Sequence, residues 1–429
     1  VSCEFDAHCS RFTFYVPPFI FRISSFIFLI SSFIFEDSMP ERMIYLDHAA
    51  TTPVDEQVLA AMLPYFTTQF GNPSSIHQVG RRALAALDDA REAVAAVLGA
   101  SRKEIIFTGG GSEADNLAIK GVALAQQRAG KGAHLITCAS EHHAVLHAFE
   151  YLEAFGFETT ILPVNGTGLV RPDDLRAAIR PDTVLVSIMY ANNEIGTIQP
   201  LAELGAICRE HGVPFHTDAV QAAGSLPLDV QALNVDFLSL TAHKFYGPAG
   251  VGLLYARRGA PLLPQINGGG QERRRRAGTE NVAGIVGLAT ALRLAEERRV
   301  EYVAHCKALR DQLISGALEL IPHVSLNGHP TQRLPNNANF AFEYIEGESL
   351  LLLLDQQGIA ASSGSACTSG SLEASHVLTA IGLPVERAIG SVRFTVGKET
   401  TAEDIDYVLD ALPPMIERLR SVSPAYRER

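Results

Sequence analysis

The feature that most limits the folds open to this chain is a repeated unit, in which a short apolar run ends abruptly in polar residues and a helical stretch follows. It occurs at residues 105–108, which lead into GGGSEADN, and at 133–138, which lead into ASEHHAV. It recurs at 183–190 before NNEIGTIQP and at 213–217 before DAVQAAG. One further run, 235–240, ends in TAHKFYGPAGVG. Helical segments at 174–179 and 201–211 separate such runs. Strands alternating with helices predict an α/β fold with a mostly parallel, doubly wound sheet, because parallel neighbours need a crossover and the helix supplies it. Ligands of such sheets bind at the carboxyl ends of strands. His142, Asn193, Asp218 and Lys244 fall at those ends.

Lys244 stands between an apolar run and a turn broken by Gly247, Pro248, Gly250 and Gly252, after which a second apolar run covers 251–255. A lysine in so apolar a setting is costly to keep charged, which frees its amine to attack an aldehyde. A surface lysine in a hairpin reads the same locally, so partners elsewhere decide. The run 105–108, the glycines 109–111 and a helix expected to be capped by Ser112, with Asp115 in its first turn, form a cradle for one phosphate. Neither GxGxxG nor a Walker loop is present, so a dinucleotide is unsupported, and a plain strand-to-helix turn is the alternative. An imine-forming lysine, an aspartate after a strand, a histidine able to lie flat on a ring, Gln221 one turn past Asp218 and a monophosphate cradle together meet the needs of pyridoxal 5'-phosphate.

Length leaves room for two or three domains at 429 residues, and the net charge of −12 argues against a nucleic-acid binder. Six cysteines (Cys3, Cys9, Cys138, Cys208, Cys306 and Cys367) lie scattered with no CxxC pair and no zinc-spaced histidine cluster. They read as reduced thiols of a cytoplasmic protein without a metal site. Residues 1–38 hold nine of the 21 phenylalanines and a direct repeat, ISSFIFL/ISSFIFE. Paired serines interrupt the apolar run, so neither a membrane segment nor a signal is favoured; a translated upstream repeat outside the mature fold is expected. The arginines at 273–276 read as a solvated loop. A long helix is expected over 285–314, followed by a smaller α+β unit: strand 338–344, helix 348–357, loop 362–371, helix 374–381, strand 391–396 and helix 402–419, which should break or kink at Pro413 and Pro414. The loop SSGSACTSGS around Cys367 is nearly all small and polar, can bury little apolar area, and is expected to be mobile.

From about Tyr45 to the last helix the chain resembles the cysteine desulfurases of the nitrogen-fixation and iron–sulfur-cluster-assembly type, in the class V aminotransferase family. The motifs YLDHAATTPVD, GGGSEADNLAIKG, SEHHAV, NNEIGTIQP, TDAVQ, TAHKFYGPAGVG, GGGQERRRRAGTEN and SSGSACTSGSLEASHVL carry the likeness. Family members often have serine and glycine where this chain has Thr241 and Ala242, and the four consecutive arginines exceed the usual pattern. The resemblance implies a fold-type-I pyridoxal-phosphate transferase, with a large seven-stranded-type sheet domain at 54–296. It implies a small domain formed by 39–53 with 297–429. It implies that Lys244 forms the Schiff base, Asp218 meets the pyridine nitrogen, His142 stacks on the ring and Gln221 reaches its phenolic oxygen. Gly111, Ser112, Thr241 and His243 would hold the phosphate, with Thr279 reaching it across a homodimer. Asn193, also at the cofactor, and Arg393 would hold the carboxylate of L-cysteine. Cys367 would take the sulfur as a persulfide, release alanine, and pass the sulfur to an acceptor protein such as an iron–sulfur scaffold. A selenocysteine lyase or aminotransferase on the same fold, or an idle sulfur-relay protein, stays open at this point.

Overall fold

The computed structural model describes residues 43–363 and 374–427. The expectations for residues 1–38 and for Cys3, Cys9 and Cys367 lie outside the described residues. Seven strands form the main sheet: β2 (Ile105–Thr108), β3 (His134–Cys138), β4 (Glu158–Leu162), β5 (Thr183–Ser187), β6 (Phe215–Asp218), β7 (Phe237–Thr241) and β8 (Gly252–Ala256). Their order is β2-β8-β7-β6-β5-β3-β4. All neighbours pair in parallel except β8, which runs antiparallel to both β2 and β7.

β3, β5 and β7 are buried along their whole length, as their continuous apolar and β-branched text requires of strands covered on both faces. On one face the helix Gly111–Arg128 and the helix His143–Glu153 supply Leu117, Val122, Val145 and Phe149. On the other, the helices Gln78–Leu98, Leu201–Glu210 and Val282–Glu297 supply Leu87, Leu204 and Leu288. The edge strand β4 has no counterpart in the sequence reading. Its text, ETTIL, is polar and mostly solvent-facing, so it lacks the apolar run that marks its neighbours.

A second core surrounds the antiparallel sheet β12-β10-β9, made of Ser391–Thr395, Asn337–Phe342 and Val324–Leu326. β1 (Ile44–Tyr45) joins it through a parallel pair with β11 (Ile359–Ala360), and Ile44 and Leu46 pack in this core. The long helix expected over 285–314 is two helices, Val282–Glu297 and Arg299–Leu320, with Arg298 between them out of helical geometry. The reason is packing: the first buries Leu288 and Leu292 in the main core, the second buries Leu309 and Leu313 in the other. The expected break at Pro413 and Pro414 does not occur, because Ala402–Val422 is one continuous helix. A helix-interior proline costs about 3 kcal/mol. Burying Ile405, Val408, Leu412 and Ile416, at about 1.5–3 kcal/mol each, offsets it. Among the described residues no helix is long and apolar enough to cross a membrane.

Candidate active site

β3, β5, β6 and β7 are neighbours in the sheet, so the polar residues beyond their carboxyl ends meet over one edge. Asp218 is the last residue of β6 and is buried. Burial pushes its carboxyl up, opposed by His142, by the Val220 N–H at 2.8 Å and by Lys244. His142 precedes the helix His143–Glu153, and its Nδ1 accepts from the Ala144 N–H at 3.1 Å. Burial lowers the imidazole below its ordinary value, so the neutral ring carries its proton on Nε2.

Lys244 ends the short turn Ala242–Lys244 after β7. Its Nζ donates to the carbonyl oxygens of Ala49 at 2.6 Å and Ala50 at 2.7 Å. Gln221 Nε2 donates to the same Ala49 oxygen at 3.1 Å. The next two residues are fastened as well: Thr51 Oγ1 lies 3.2 Å from His243 Nδ1, and the Thr52 N–H donates to the His243 carbonyl at 2.9 Å. Segment 47–52 therefore lies across the site, which the sequence reading missed. Its only sequence signal is the unusual polar text after the β1 run, and these partners lie more than 170 residues away. A cavity of about 250 Å³ opens beside the amine, lined by Lys244, Gln221, His48 and Tyr246.

At the glycine turn the helix begins at Gly111, with Gly110 in the cap position and no side-chain cap bond. Ser112 is thus the second helical residue and not the cap, and Glu113, not Asp115, is the acid of the first turn. The correction follows from close packing. A Cβ on Gly111 would stand 2.9 Å from Val220 Cγ2, closer than carbon atoms normally pack, so glycine lets the turn lie against Val220, with Thr241 in ordinary contact at 3.6 Å. Gly111, Ser112 and Thr241 come together there, with first-turn amides that have no intrahelical acceptor. Thr279 lines a separate cavity of about 130 Å³ with Thr108, Gly109 and Arg276. The arginine run is solvated only in part: Arg273 and Arg274 are exposed, but two of the four side chains are tied to the protein. Arg273 donates to the carbonyls of Arg102, Lys103 and Ile105, and Arg276 pairs with Glu113 at 2.8 Å. Glu272 just before it forms a buried bidentate pair with Arg91 at 2.7 and 2.8 Å.

On the opposite side Arg393, on β12, is 3% exposed. Its Nη1 donates to the Asn193 carbonyl at 2.9 Å and its Nη2 to Asp47 Oδ1 at 2.8 Å, while its buried Nε has no partner among the described residues. Three more ionisable groups lie behind the site, of which the sequence reading named only Asp115, as a first-turn acid. Burial raises the Glu141 carboxyl to about 8; one oxygen accepts from the Met189 N–H at 2.7 Å and the other is unpartnered. Burial, then the charge of Asp218, holds Asp115 well above its usual range. His216, bonded to Ser187 and Ser239 at 2.8 and 3.0 Å, is pushed down to about 3 by burial. Of these, Asp115 and Glu141 stand inside motifs whose other members drew the attention, and His216 reads as an ordinary strand residue.

These shifts set a sign. Glu141 has an ordinary value of 4.5, so above it the unfolded chain has lost a proton that the folded chain keeps until about 8, and stability falls as pH rises. Glu194, raised by burial to about 7, acts in the same direction. His48 and His216, lowered to about 4 and about 3, act oppositely, but only below their ordinary 6.5. The urea midpoint of the cofactor-free protein is therefore expected to fall between pH 6.5 and 8, and Glu141→Gln to flatten that slope. A midpoint that rises with pH across this window would show that Glu141 is not buried as a neutral acid.

Pyridoxal 5'-phosphate fits this donor set. A buried Asp218 carboxyl needs a cationic N–H partner, the glycine turn leaves room where a Cβ would collide, and the bare Arg393 Nε suits a carboxylate on a substrate. No group of three or more possible metal ligands occurs among the described residues.

Comparison with known proteins shows the family. The pattern of the family described as aminotransferase class-V matches residues 44–408. A cysteine desulfurase IscS of Methanosarcina thermophila is 56% identical over 387 residues, which is 90% of this chain and 95% of that protein. A solved NifS-like protein superposes with a TM-score of 0.82 at 39% identity, covering 89% of this chain and 100% of the other. The NifS-like protein of Rickettsia africae gives a TM-score of 0.79 at 31% identity, covering 88% and 100%.

Proposed function

The chain belongs to the aminotransferase class-V family and, within it, to the cysteine desulfurases, and from that premise we propose how its own residues take sulfur from L-cysteine. Pyridoxal 5'-phosphate would supply the electron sink when bound, and Lys244 would attach it. Asp218 would meet its ring nitrogen, His142 its face and Gln221 its phenolic oxygen, with Asn193 beside it. Gly111, Ser112, Thr241, His243 and the partner subunit's Thr279 would hold its phosphate. The observation that carries this reading is the meeting of Lys244, Asp218 and His142 at or beyond the carboxyl ends of β7, β6 and β3, on one edge of the sheet.

Arg393 and Asn193 seat the carboxylate of L-cysteine, and the unpartnered Arg393 Nε is the open donor. Lys244 Nζ, aimed into the site by the Ala49 and Ala50 carbonyls, takes the proton from Cα. His142, protonated at Nε2, exchanges a proton near the substrate sulfur. The Cys367 thiolate attacks that sulfur: an S–S bond forms as the Cβ–S bond breaks, and the electron pair left at Cβ takes a proton. L-cysteine and a protein thiol give L-alanine and a protein persulfide, with no outside oxidant. The described cysteines support the choice of Cys367 by their own unsuitability, since burial raises the thiols of Cys138 and Cys208 strongly and that of Cys306 to about 12.

The enzyme works as a homodimer. Leu59, Leu63, Phe66, Phe70 and Ile76 form an exposed apolar series before and at the start of the helix Gln78–Leu98, with Ile76 91% exposed, as a face covered by a second copy would be. It has a large domain at 54–296 and a small one at 39–53 with 297–429, supported by their separate cores. It acts in the cytoplasm and hands sulfur to an acceptor protein such as an iron–sulfur scaffold. The test is product identity. Purified enzyme given L-cysteine should yield alanine and trapped sulfur in equal amounts. A 2-oxo acid in place of alanine would make it an aminotransferase, and activity confined to selenocysteine would make it a lyase for that amino acid.

A further inference from the structure

The two ends of the Cys367 segment are tied to the substrate end of the site. Before it, Ser362 and Arg393 exchange main-chain hydrogen bonds, at 3.2 Å from the Ser362 N–H and 2.6 Å from the Arg393 N–H. After it, the Ser375 hydroxyl donates to Glu194 Oε2 at 2.5 Å while accepting from the N–H groups of Val377 and Leu378 at 3.1 and 3.3 Å. The adjacent His376 donates from Nε2 to the Glu141 carbonyl at 2.9 Å, and Val377 and Leu378 pack on Ile195. Glu194 is 5% exposed, and its own carbonyl is held by the amides of Asn337 and Asn339 at 3.2 and 3.1 Å. Each tie thus ends on a member of the proposed site or its chain neighbour: Arg393 itself, Glu194 beside Asn193, and Glu141 beside His142.

Capping the helix His376–Ala380 uses only the lone pairs of Ser375, so the hydroxyl proton could go to water at no cost to the cap. Instead it goes to a carboxylate whose burial is expensive. That bond adds nothing the helix needs; what it adds is location.

We propose that Glu194 is a positioning residue for sulfur transfer: by binding Ser375 it fixes the C-terminal root of the Cys367 segment on the turn that carries Asn193, so that one turn registers both the substrate carboxylate and the attacking thiol. The inference rests on Cys367 being the sulfur acceptor. Glu194→Ala holoenzyme should keep its KM for L-cysteine within about twofold while kcat and the single-turnover rate of persulfide formation fall about 10- to 100-fold, the scale of an ångström's misplacement. Glu194→Gln keeps an oxygen acceptor for Ser375 and should restore the rate. Ile195 packing and the His376 bond remain in both variants. Should Glu194→Ala not fold, Ser375→Gly carries the same test: it removes the donor to Glu194 together with the acceptor of the Val377 and Leu378 N–H groups, and glycine is tolerated at a cap.

An unchanged kcat in Glu194→Ala, or Glu194→Gln as slow as Glu194→Ala, would overturn the proposal, and so would a rise in KM equal to the loss of kcat/KM. Cys367→Ala run alongside separates the two readings. If it transfers sulfur normally, the acceptor assignment fails and this inference with it; if it is inactive while Glu194→Ala is normal, only the positioning role fails.

Discussion

Cys367→Ala is expected to bind cofactor and L-cysteine as the wild type does and to lose sulfur transfer by roughly 10³-fold or more. Binding uses Lys244, Asp218, Asn193 and Arg393, none of which the substitution touches. Transfer needs a thiolate able to meet the substrate sulfur, and no other described cysteine can supply one. Cys138 donates its S–H to Glu141 at 3.2 Å inside the sheet core, while Cys208 and Cys306 are buried with thiols pushed up by desolvation. Replacing any of these three by alanine or serine should therefore leave sulfur transfer largely intact. The measurement is alanine and sulfide release, with mass spectrometry of the protein for one added sulfur atom. Release by Cys367→Ala at near wild-type rate would replace this mechanism by a lyase that needs no protein nucleophile.

Lys244→Ala should be as damaging by a different route. On the proposed mechanism the amine is both the point of covalent attachment and the base at Cα, so turnover should fall roughly 10³-fold or more. Borohydride treatment of wild-type holoenzyme should leave the cofactor mass on the peptide containing Lys244, and treatment of the variant should leave none. The variant should still hold cofactor non-covalently through Asp218 and the glycine turn, which dialysis against buffer would reveal as a slower loss than from Lys244→Ala combined with Asp218→Ala. A wild-type protein that takes up no cofactor from excess would remove the basis of both expectations. The substitution also leaves the Ala49 and Ala50 carbonyls without the donor they now share.

The inner strands were legible because they are buried on both faces and so must be written as continuous apolar runs; β2, though at an edge, is buried at all four residues and runs over those the text marks, Ile105–Thr108. β4 was illegible for the converse reason, since an edge strand can be polar. His142, Asn193, Asp218 and Lys244 could be placed at strand ends because a parallel sheet puts the end of each run on the same edge. What holds them there could not be read. The tie of Arg393 to Asp47 spans 346 residues, and that of Ser375 to Glu194 spans 181. No local pattern encodes such a pairing, which exists only once two cores have docked. The same holds for the prolines at 413 and 414, whose local penalty is outweighed by side chains that pack far away in sequence.

The pairing of β1 with β11 carries a consequence for synthesis. Ile44 can find Ile359, and Asp47 can find Arg393, only after nearly the whole chain has left the ribosome, although all seven strands of the main sheet have emerged by residue 256. The sheet and its lysine can thus assemble early, as folding domain by domain during translation allows. The segment that fastens Lys244, Gln221 and Arg393 closes last. A nascent chain is in that interval a folded sheet without a finished site, so a reactive aldehyde cofactor meets its lysine in working order only on a completed polypeptide.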